Sequence, residues 1–231
     1  MKKTKIDWCD CTVNPVIGCP NGCEYCYARR QNDRFHYVED WSKPEFRPHV
    51  LKQFKSKKSK SVFIDSMSDV AFWQPKWAEQ ILKAIKENPQ HNYIVLSKKP
   101  SKYARIFPDT YKNVYFGATA VNTADFVTPC SVEELCAYHR VTGNKVFLSI
   151  EPLLDRFYGI ALGNLKKWIS LVIIGAETGN RKGKVIPQKQ WVDEIVQQCD
   201  IAGIPVFMKG SLRKIMGDDF RQDKLPWEVE R

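Results

Sequence analysis

The 231-residue sequence has no long hydrophobic run. No stretch approaches the roughly 20 apolar residues that a helix needs to cross a bilayer, and residues 1–7 lack the apolar core of a secretory signal. We therefore expect no membrane partner and a cytoplasmic location. Closely similar internal repeats and low-complexity linkers are also missing. The length suits one large α/β domain or two small ones, and we expect a single domain over residues 1–231.

Acidic residues are in short supply. There are 26 Asp and Glu against 36 Lys and Arg, which gives a formal net charge of +10. A field of this sign favours polyanions such as nucleic acid, and acidic protein partners as well. The densest lysine run covers residues 52–60, and its simplest interpretation is a solvated surface that keeps the protein soluble. Other basic residues lie on loops that follow predicted strands, namely Lys98, Lys99, Arg181, Lys182 and Lys184.

The sequence contains eight cysteines, and three of them form a C-x3-C-x2-C motif at Cys19, Cys23 and Cys26. In a cytoplasmic chain of this length, cysteines indicate metal binding or catalysis more than disulfides. Three thiolates on one loop can hold three irons of a cubane cluster and leave the fourth iron open. Thiolates also suit zinc, which needs a fourth ligand. Cys9, Cys11 or His36 would supply that ligand.

Short apolar runs alternate with helix-like segments along most of the chain. The clear runs cover residues 61–65, 93–97, 114–118, 145–150, 171–174 and 205–208, and a weaker run covers residues 12–17. Between the runs, a helix is predicted to begin at Pro75, a second at a capping box over residues 131–134, and a third to end before Gly203. This alternation predicts an α/β fold with parallel strands and right-handed crossovers. Eight such units need about 250 residues, so we expect a partial (β/α)6 barrel.

Polar residues come directly after each predicted strand. In parallel α/β sheets these ends share one edge, where active residues collect. The set suits a zwitterionic nucleoside, whose amino group needs acceptors and whose ribose hydroxyls need polar partners. The expected acceptors are Ser66, Ser68 and Asp69, and the expected ribose partners are Thr119, Asn122 and Glu151. Gly175 would allow close approach of the backbone, and Glu177 would accept from an amine or hydroxyl, or pair with Arg181.

The sequence resembles a phage-encoded and bacterial family of radical-SAM-like proteins named after phage gene products. The similar segments are KIDW at 5–8, NPVIGC at 14–19, the cysteine loop with Tyr27 and Ala28, SMSD at 66–69, SIEPL at 149–153 and IGAETG at 174–179. The resemblance implies a radical-SAM barrel and a [4Fe–4S] cluster on Cys19, Cys23 and Cys26. It also implies S-adenosylmethionine (SAM) on the open iron and Tyr25 near the adenine.

The resemblance further implies an enzyme activity. A reduced cluster would cleave SAM to a 5′-deoxyadenosyl radical, which abstracts hydrogen from a substrate, and a flavodoxin- or ferredoxin-like protein would supply the electron. From the charge, we expect the substrate to be a nucleic acid or a nucleotide-derived group, in modification or repair. The alternative is a basic nucleic-acid-binding module with a structural zinc or iron–sulfur site and no SAM chemistry.

Overall fold

The computed structural model describes residues 1, 4–127, 132–158, 162 and 167–228. Its strands, in chain order, are β1 (Cys11–Val13), β2 (Val16–Ile17), β3 (Glu45–Phe46), β4 (Ser61–Ile64), β5 (Asn92–Ser97), β6 (Val114–Thr119), β7 (Lys145–Ile150), β8 (Ile169–Ile174) and β9 (Val206–Met208). Seven of them form a curled, half-barrel parallel sheet in the order β1-β4-β5-β6-β7-β8-β9. β2 and β3 form a separate antiparallel pair.

The sheet is buried on both faces, as the nearly continuous apolar character of its strands predicts. Successive side chains of a strand point to opposite faces, and each strand therefore contributes to two layers. On β4, Ile64 belongs to the larger hydrophobic core, whereas Phe63 belongs to a second cluster with Ile94, Tyr115 and Phe147 from the neighbouring strands. We call the face that carries this second cluster the inner face of the half-barrel.

Helices cover the other face of the sheet, except that α1 (Tyr27–Phe35) packs through Ala28 on a third, smaller cluster with Ile17, Val38 and Met67. In chain order, the helices are α1, α2 (Pro75–Lys86), α3 (Tyr103–Ile106), α4 (Ala124–Val127), α5 (Val132–Thr142), α6 (Lys189–Ala202) and α7 (Arg213–Met216). As predicted, α2 begins at Pro75 and α6 ends before Gly203, which has a φ of 65°. The predicted capping box includes Ser131, which lies outside the described residues. Within the described ranges, no helix combines the length and the apolar character that crossing a membrane requires.

Two tryptophans fill the inner face near the chain termini. The Trp8 ring lies 4.7 Å from the Phe63 ring and 6.1 Å from the Trp227 ring. Trp227 Nε1 donates a 2.7 Å hydrogen bond to the Trp8 carbonyl oxygen. Nearby, the Asp7 carboxylate accepts a 2.8 Å bond from the backbone N–H of Gly210, just after β9. The segment before β1 thus connects the two edge strands of the half-barrel.

Gly117 on β6 makes room for inner-face side chains, and we expect Gly117→Ala to destabilise the fold. An added Cβ would lie 2.7 Å from Leu96 Cδ1 and closer still to the Phe147 ring. Such overpacking typically costs about 1–3 kcal/mol, more than the roughly 0.4–1 kcal/mol gained from a stiffer unfolded chain. Urea unfolding measures the loss. Gly210→Ala is the matched control, since its Cβ would meet only Asp7 Oδ2 at 3.5 Å; equal midpoints for the two variants would contradict the prediction.

The predicted partial α/β barrel is confirmed at the level of a half-barrel of parallel strands. The sheet has one strand more than a six-unit barrel, because the weak run at residues 12–17 contributes β1. The prediction that this run is one strand was wrong. It divides at Asn14 and Pro15 into β1 and β2, which belong to different sheets. Proline lacks the N–H that a sheet ladder needs, so the chain leaves the sheet there.

Candidate functional site

The cysteine motif lies at the carboxyl edge of the parallel sheet. β2 leads into Gly18, whose backbone N–H donates a 3.0 Å bond to the carbonyl of Met67 in the loop after β4. The backbone N–H of Cys19 donates to the carbonyl of Trp41 at 2.7 Å. Gly22 has a φ of 69°, which allows the tight turn expected between Cys19 and Cys23. Two backbone hydrogen bonds, at Gly18 and at Cys19, therefore hold the start of the motif in place.

Helix α1 begins immediately after the third cysteine. Cys26 is its N-cap, and Cys26 Sγ accepts a 3.3 Å hydrogen bond from the backbone N–H of Arg29. The positive end of the helix dipole therefore faces this sulfur. Burial, with a further contribution from Asp69, raises the pKa of the Cys19 thiol to about 12. A metal that binds Cys19 must therefore displace its proton.

The three cysteines do not converge on one point. Among the residues that the structure describes, no group of three or more His, Cys, Asp or Glu side chains is arranged to hold a single metal ion. Three thiolates on one zinc would lie about 3.8 Å apart, given Zn–S bonds of about 2.3 Å in a tetrahedron. In a cubane cluster, each thiolate binds a different iron. Three thiols on one loop are a donor set of the chemical type that a cluster of several irons uses.

The carboxylate of Asp69 connects this loop to β5. Its Oδ2 accepts from Asn21 Nδ2 at 2.9 Å and from the backbone N–H of Lys98 at 3.0 Å. Its Oδ1 accepts from Ser97 Oγ at 2.7 Å and from the backbone N–H of Ala71 at 3.0 Å. Asp69 is buried. We expected it to accept from a ligand amino group, but four protein donors already occupy it; its place in the structure is that of a positioning residue.

Ser66 and Ser68 lie on the same loop and differ in their engagement. Ser66 Oγ donates to Asn14 Oδ1 at 3.1 Å, and the Ser66 carbonyl accepts a 2.7 Å bond from the Tyr27 hydroxyl of α1. Ser68 Oγ is buried without a hydrogen-bond partner among the described residues. Of the expected amino-group acceptors, Ser68 is the one that keeps its side chain unengaged.

Asp65 begins this loop in a left-handed conformation, with a φ of 61°. Its buried carboxyl accepts hydrogen bonds from the backbone N–H of Val16 and from Trp73 Nε1. Burial raises the pKa of Asp65 to about 8, although both donors act in the opposite direction. Asp65 therefore fixes the segment that leads into the cysteine motif.

Glu151 and Lys209 form an ion pair between the ends of β7 and β9. Their side chains are 23% and 16% exposed, respectively. A Cβ on Gly175 would lie 3.0 Å from Lys209 Cδ and 3.3 Å from Glu151 Cγ. The absence of a side chain at Gly175 thus admits this ion pair, where we expected it to admit a ligand.

Glu177 pairs with Arg181, which was one of the two roles predicted for it. Its buried carboxylate accepts from Arg181 Nε at 2.6 Å and from Arg181 Nη2 at 2.8 Å. This pairing with Arg181 lowers the pKa of Glu177. The loop after β8 is held to α1 as well, because Arg30 Nη2 donates to the Thr178 carbonyl at 3.3 Å.

The remaining predicted residues lie on neighbouring strand ends. Tyr25 is half-buried in the cysteine loop, and Lys98 Nζ lies 5.0 Å from its ring centroid. Burial and the neighbouring Cys23 raise the pKa of the Tyr25 hydroxyl. Thr119 ends β6 and is buried. Asn122 Oδ1 accepts a 3.2 Å bond from the backbone N–H of Asp125 at the start of α4.

Most of the basic residues predicted on this edge are bound within the chain. Lys98 contacts Tyr25, and Lys99 Nζ lies 4.7 Å from the Phe72 ring centroid. Arg181 pairs with Glu177, and Lys184 Nζ donates to the Gly179 carbonyl at 3.3 Å. Lys182 is exposed. The charges of this edge therefore stabilise its loops to a large extent.

A family model described as "Protein of unknown function (DUF5131)" matches residues 3–217. The chain belongs to the DUF5131 family. Comparisons with curated proteins and with solved structures gave no match. The region matched by the DUF5131 model includes the cysteine motif, all nine strands and the Glu151–Lys209 pair.

The residues considered as a fourth zinc ligand have three different environments in this DUF5131 protein. Cys11 is buried in the larger core, where its Sγ lies 3.3 Å from Met1 Sδ. Cys9 packs against the inner-face cluster instead. His36 is exposed at the carboxyl end of α1 with a φ of 50°. The structure does not bring any of them into a metal-binding group with the cysteine motif among the described residues.

Sequence reasoning missed three residues that shape the site. Tyr27 and Arg30 connect α1 to the loops after β4 and β8, and Asn21 connects the cysteine motif to Asp69. Tyr27 and Arg30 are i and i+3 on α1, so they lie on the same face of that helix. This spacing could have indicated that Tyr27 and Arg30 act on the same side of the helix. The sequence carried no indication of their partners, Ser66 and Thr178, because these lie far away along the chain.

Proposed function

We propose that this protein is a radical SAM enzyme. The observation that carries the proposal is the position of the C-x3-C-x2-C motif at the carboxyl edge of a curled parallel sheet. That edge is where α/β folds gather their functional groups. Buried and half-buried polar side chains converge on it from β4, β7, β8 and β9.

In this proposal, Cys19, Cys23 and Cys26 hold a [4Fe–4S] cluster, which leaves one iron open for SAM. When bound, the cluster and SAM would supply reductive cleavage of the sulfonium bond, which starts hydrogen abstraction from the substrate. The chain would supply the orientation of both groups. The hydrogen bond at Cys26 Sγ and the Asn21–Asp69 bond favour a fixed loop.

The residues nearest this loop have distinct proposed tasks. Ser68 Oγ, which has no partner among the described residues, would accept from the SAM amino group. Glu151 would accept from a ribose hydroxyl while Lys209 fixes its orientation. Tyr25 would lie beside the adenine, held by Lys98. The Glu177–Arg181 pair would stabilise the loop that closes this side of the site.

The activity requires an electron donor, for which we propose a flavodoxin- or ferredoxin-like protein. For the substrate we propose a nucleic acid or a nucleotide-derived group, in keeping with the formal charge of +10. Deuterium transfer into 5′-deoxyadenosine from deuterated nucleotides, nucleic acids and peptides tests this class, because only the hydrogen donor labels the product.

Anaerobic reconstitution of the wild-type protein tests the cluster and the reaction. We expect about four irons and four sulfides per chain, from the proposed cluster, and release of 5′-deoxyadenosine from SAM with dithionite. Uptake of one zinc and no iron would overturn the proposal and support a nucleic-acid-binding module with a structural metal. A cluster that forms without SAM binding would leave an electron-transfer protein.

A further inference from the structure

The densest lysine run lies at the opposite edge of the sheet from the cysteine motif. A 3-10 helix (Pro48–Lys55) and residues 56–60 lead directly into the first residue of β4. The far end of β4 is followed by Ser66, which contacts α1. At about 3.3 Å per residue, the four residues of β4 alone place about 13 Å between the two ends of the strand.

Hydrogen bonds fix this segment at the amino edge. Gln90 and His91 directly precede β5, and both face the segment. Gln90 Nε2 donates to the Ser56 carbonyl at 2.9 Å, and His91 Nε2 lies 2.8 Å from the Phe54 carbonyl oxygen. The Phe54 side chain is fully buried. The lysines are thus presented by an anchored segment.

The segment carries positive charge alone. Residues 46–60 contain no Asp or Glu. Lys52, Lys55, Lys57 and Lys58 are exposed and Lys60 is half-buried. Among the described residues, none of these five forms an ion pair with a carboxylate, whereas Lys83, Lys86 and Lys189 do. We name these five residues the amino-edge lysine surface.

We propose that the amino-edge lysine surface binds the phosphate backbone of double-stranded nucleic acid. Each lysine that neutralises a phosphate releases a counterion, which favours binding independently of base sequence. Recognition of single strands relies on exposed aromatic side chains that stack on bases. The segment offers no exposed Phe, Tyr or Trp, because Phe54 is buried. Just before it, Phe46 stacks on Trp77 with ring centroids 5.8 Å apart. Backbone contacts to a duplex are what remains.

This surface is separate from the proposed cluster site and does not depend on it. A polymer bound at the amino edge contacts the chain at the opposite end of β4 from the loop that carries Ser66 and Ser68. The surface therefore attaches the protein to nucleic acid, and the reacting group enters from the other edge. An acidic reductase is a poorer fit, since its electron would have to cross the length of the half-barrel to reach the cysteine motif.

The test compares two variants with the same net charge. One replaces Lys52, Lys55, Lys57 and Lys58 with glutamine, and the other replaces Lys98, Lys99, Lys182 and Lys184, so both lose four positive charges. Binding of a 20-base-pair duplex is measured by fluorescence anisotropy across a salt series, with circular dichroism to confirm folding. The slope of log K against log salt is negative, and the first variant is expected to make it less steep by about 3 to 4. The second variant is expected to leave the slope near the wild-type value.

Four results would overturn the proposal: no wild-type binding at low salt, equal losses in both variants, a larger loss in the second variant, or tighter binding of a single strand than of the duplex. Equal losses would mean that total charge, and no particular surface, attracts the duplex. The measurement needs neither the cluster nor SAM, and its outcome is therefore independent of the reconstitution experiment.

Discussion

Cys23→Ala is expected to abolish both iron incorporation and release of 5′-deoxyadenosine. The proposed cluster has three protein ligands on one loop, and Cys9, Cys11 and His36 form no metal-binding group with them among the described residues. Two remaining thiolates would leave two irons without protein ligands. Iron and sulfide analysis after anaerobic reconstitution gives the first readout. Chromatography of the products from SAM gives the second.

The matched control for this prediction is Cys136→Ala. Cys136 is buried on α5 in the larger core, so the change removes a thiol without touching the site edge. We expect full iron content and a small loss of stability, about 1 kcal/mol for the atoms removed. Wild-type iron content in Cys23→Ala, or its loss in Cys9→Ala, would show that the ligand set is wrong.

Local sequence pattern predicted the sheet well because each buried strand carries its own signal. The run at residues 145–150 coincides with β7 to the residue, and five other runs agree with their strands within two residues at either end. The error at residues 12–17 has a local cause as well. Pro15 interrupts an apolar run, and a proline inside a run argues against a continuous strand.

The site was less accessible to prediction, since its contacts join distant parts of the chain. The Glu177–Arg181 pair was foreseeable because its members are four residues apart. The Glu151–Lys209 pair joins residues separated by 58 positions. Their positions after predicted strands indicated that Glu151 and Gly175 belong to the site edge. The sequence did not indicate that Gly175 leaves the space in which Lys209 pairs with Glu151.

The hydrogen bonds of Asp69 were also not predictable from the sequence, because most of their donors are distant along the chain. Replacing Asp69 is expected to lower both the stability of the fold and the metal content of the protein. Its two oxygens accept from donors at positions 21, 71, 97 and 98. In Asp69→Asn, an amide nitrogen replaces one oxygen and cannot accept a hydrogen bond. It leaves unpaired either the two N–H donors at Oδ2 or the backbone N–H of Ala71 at Oδ1. Each buried donor left unpaired costs about 1–3 kcal/mol, and we therefore expect a loss of about 2–5 kcal/mol in the free energy of unfolding.

The loss should extend from stability to metal content, because Asp69 links the cysteine motif to β5 through Asn21. Asp109→Asn is the matched control: its carboxylate pairs with Lys86, but both side chains are more than half exposed, and such pairs contribute at most about 1 kcal/mol. Urea unfolding measures stability, and iron per folded chain measures the loop. If Asp69→Asn does not fold, Asn21→Ala removes the loop's bond alone and should lower iron content with little change in the unfolding midpoint. Two results would contradict the positioning role of Asp69: wild-type iron content in Asn21→Ala, or equal unfolding midpoints for Asp69→Asn and Asp109→Asn. If the four hydrogen bonds to the buried Asp69 carboxylate hold the loop in place, disrupting them must change stability or iron content.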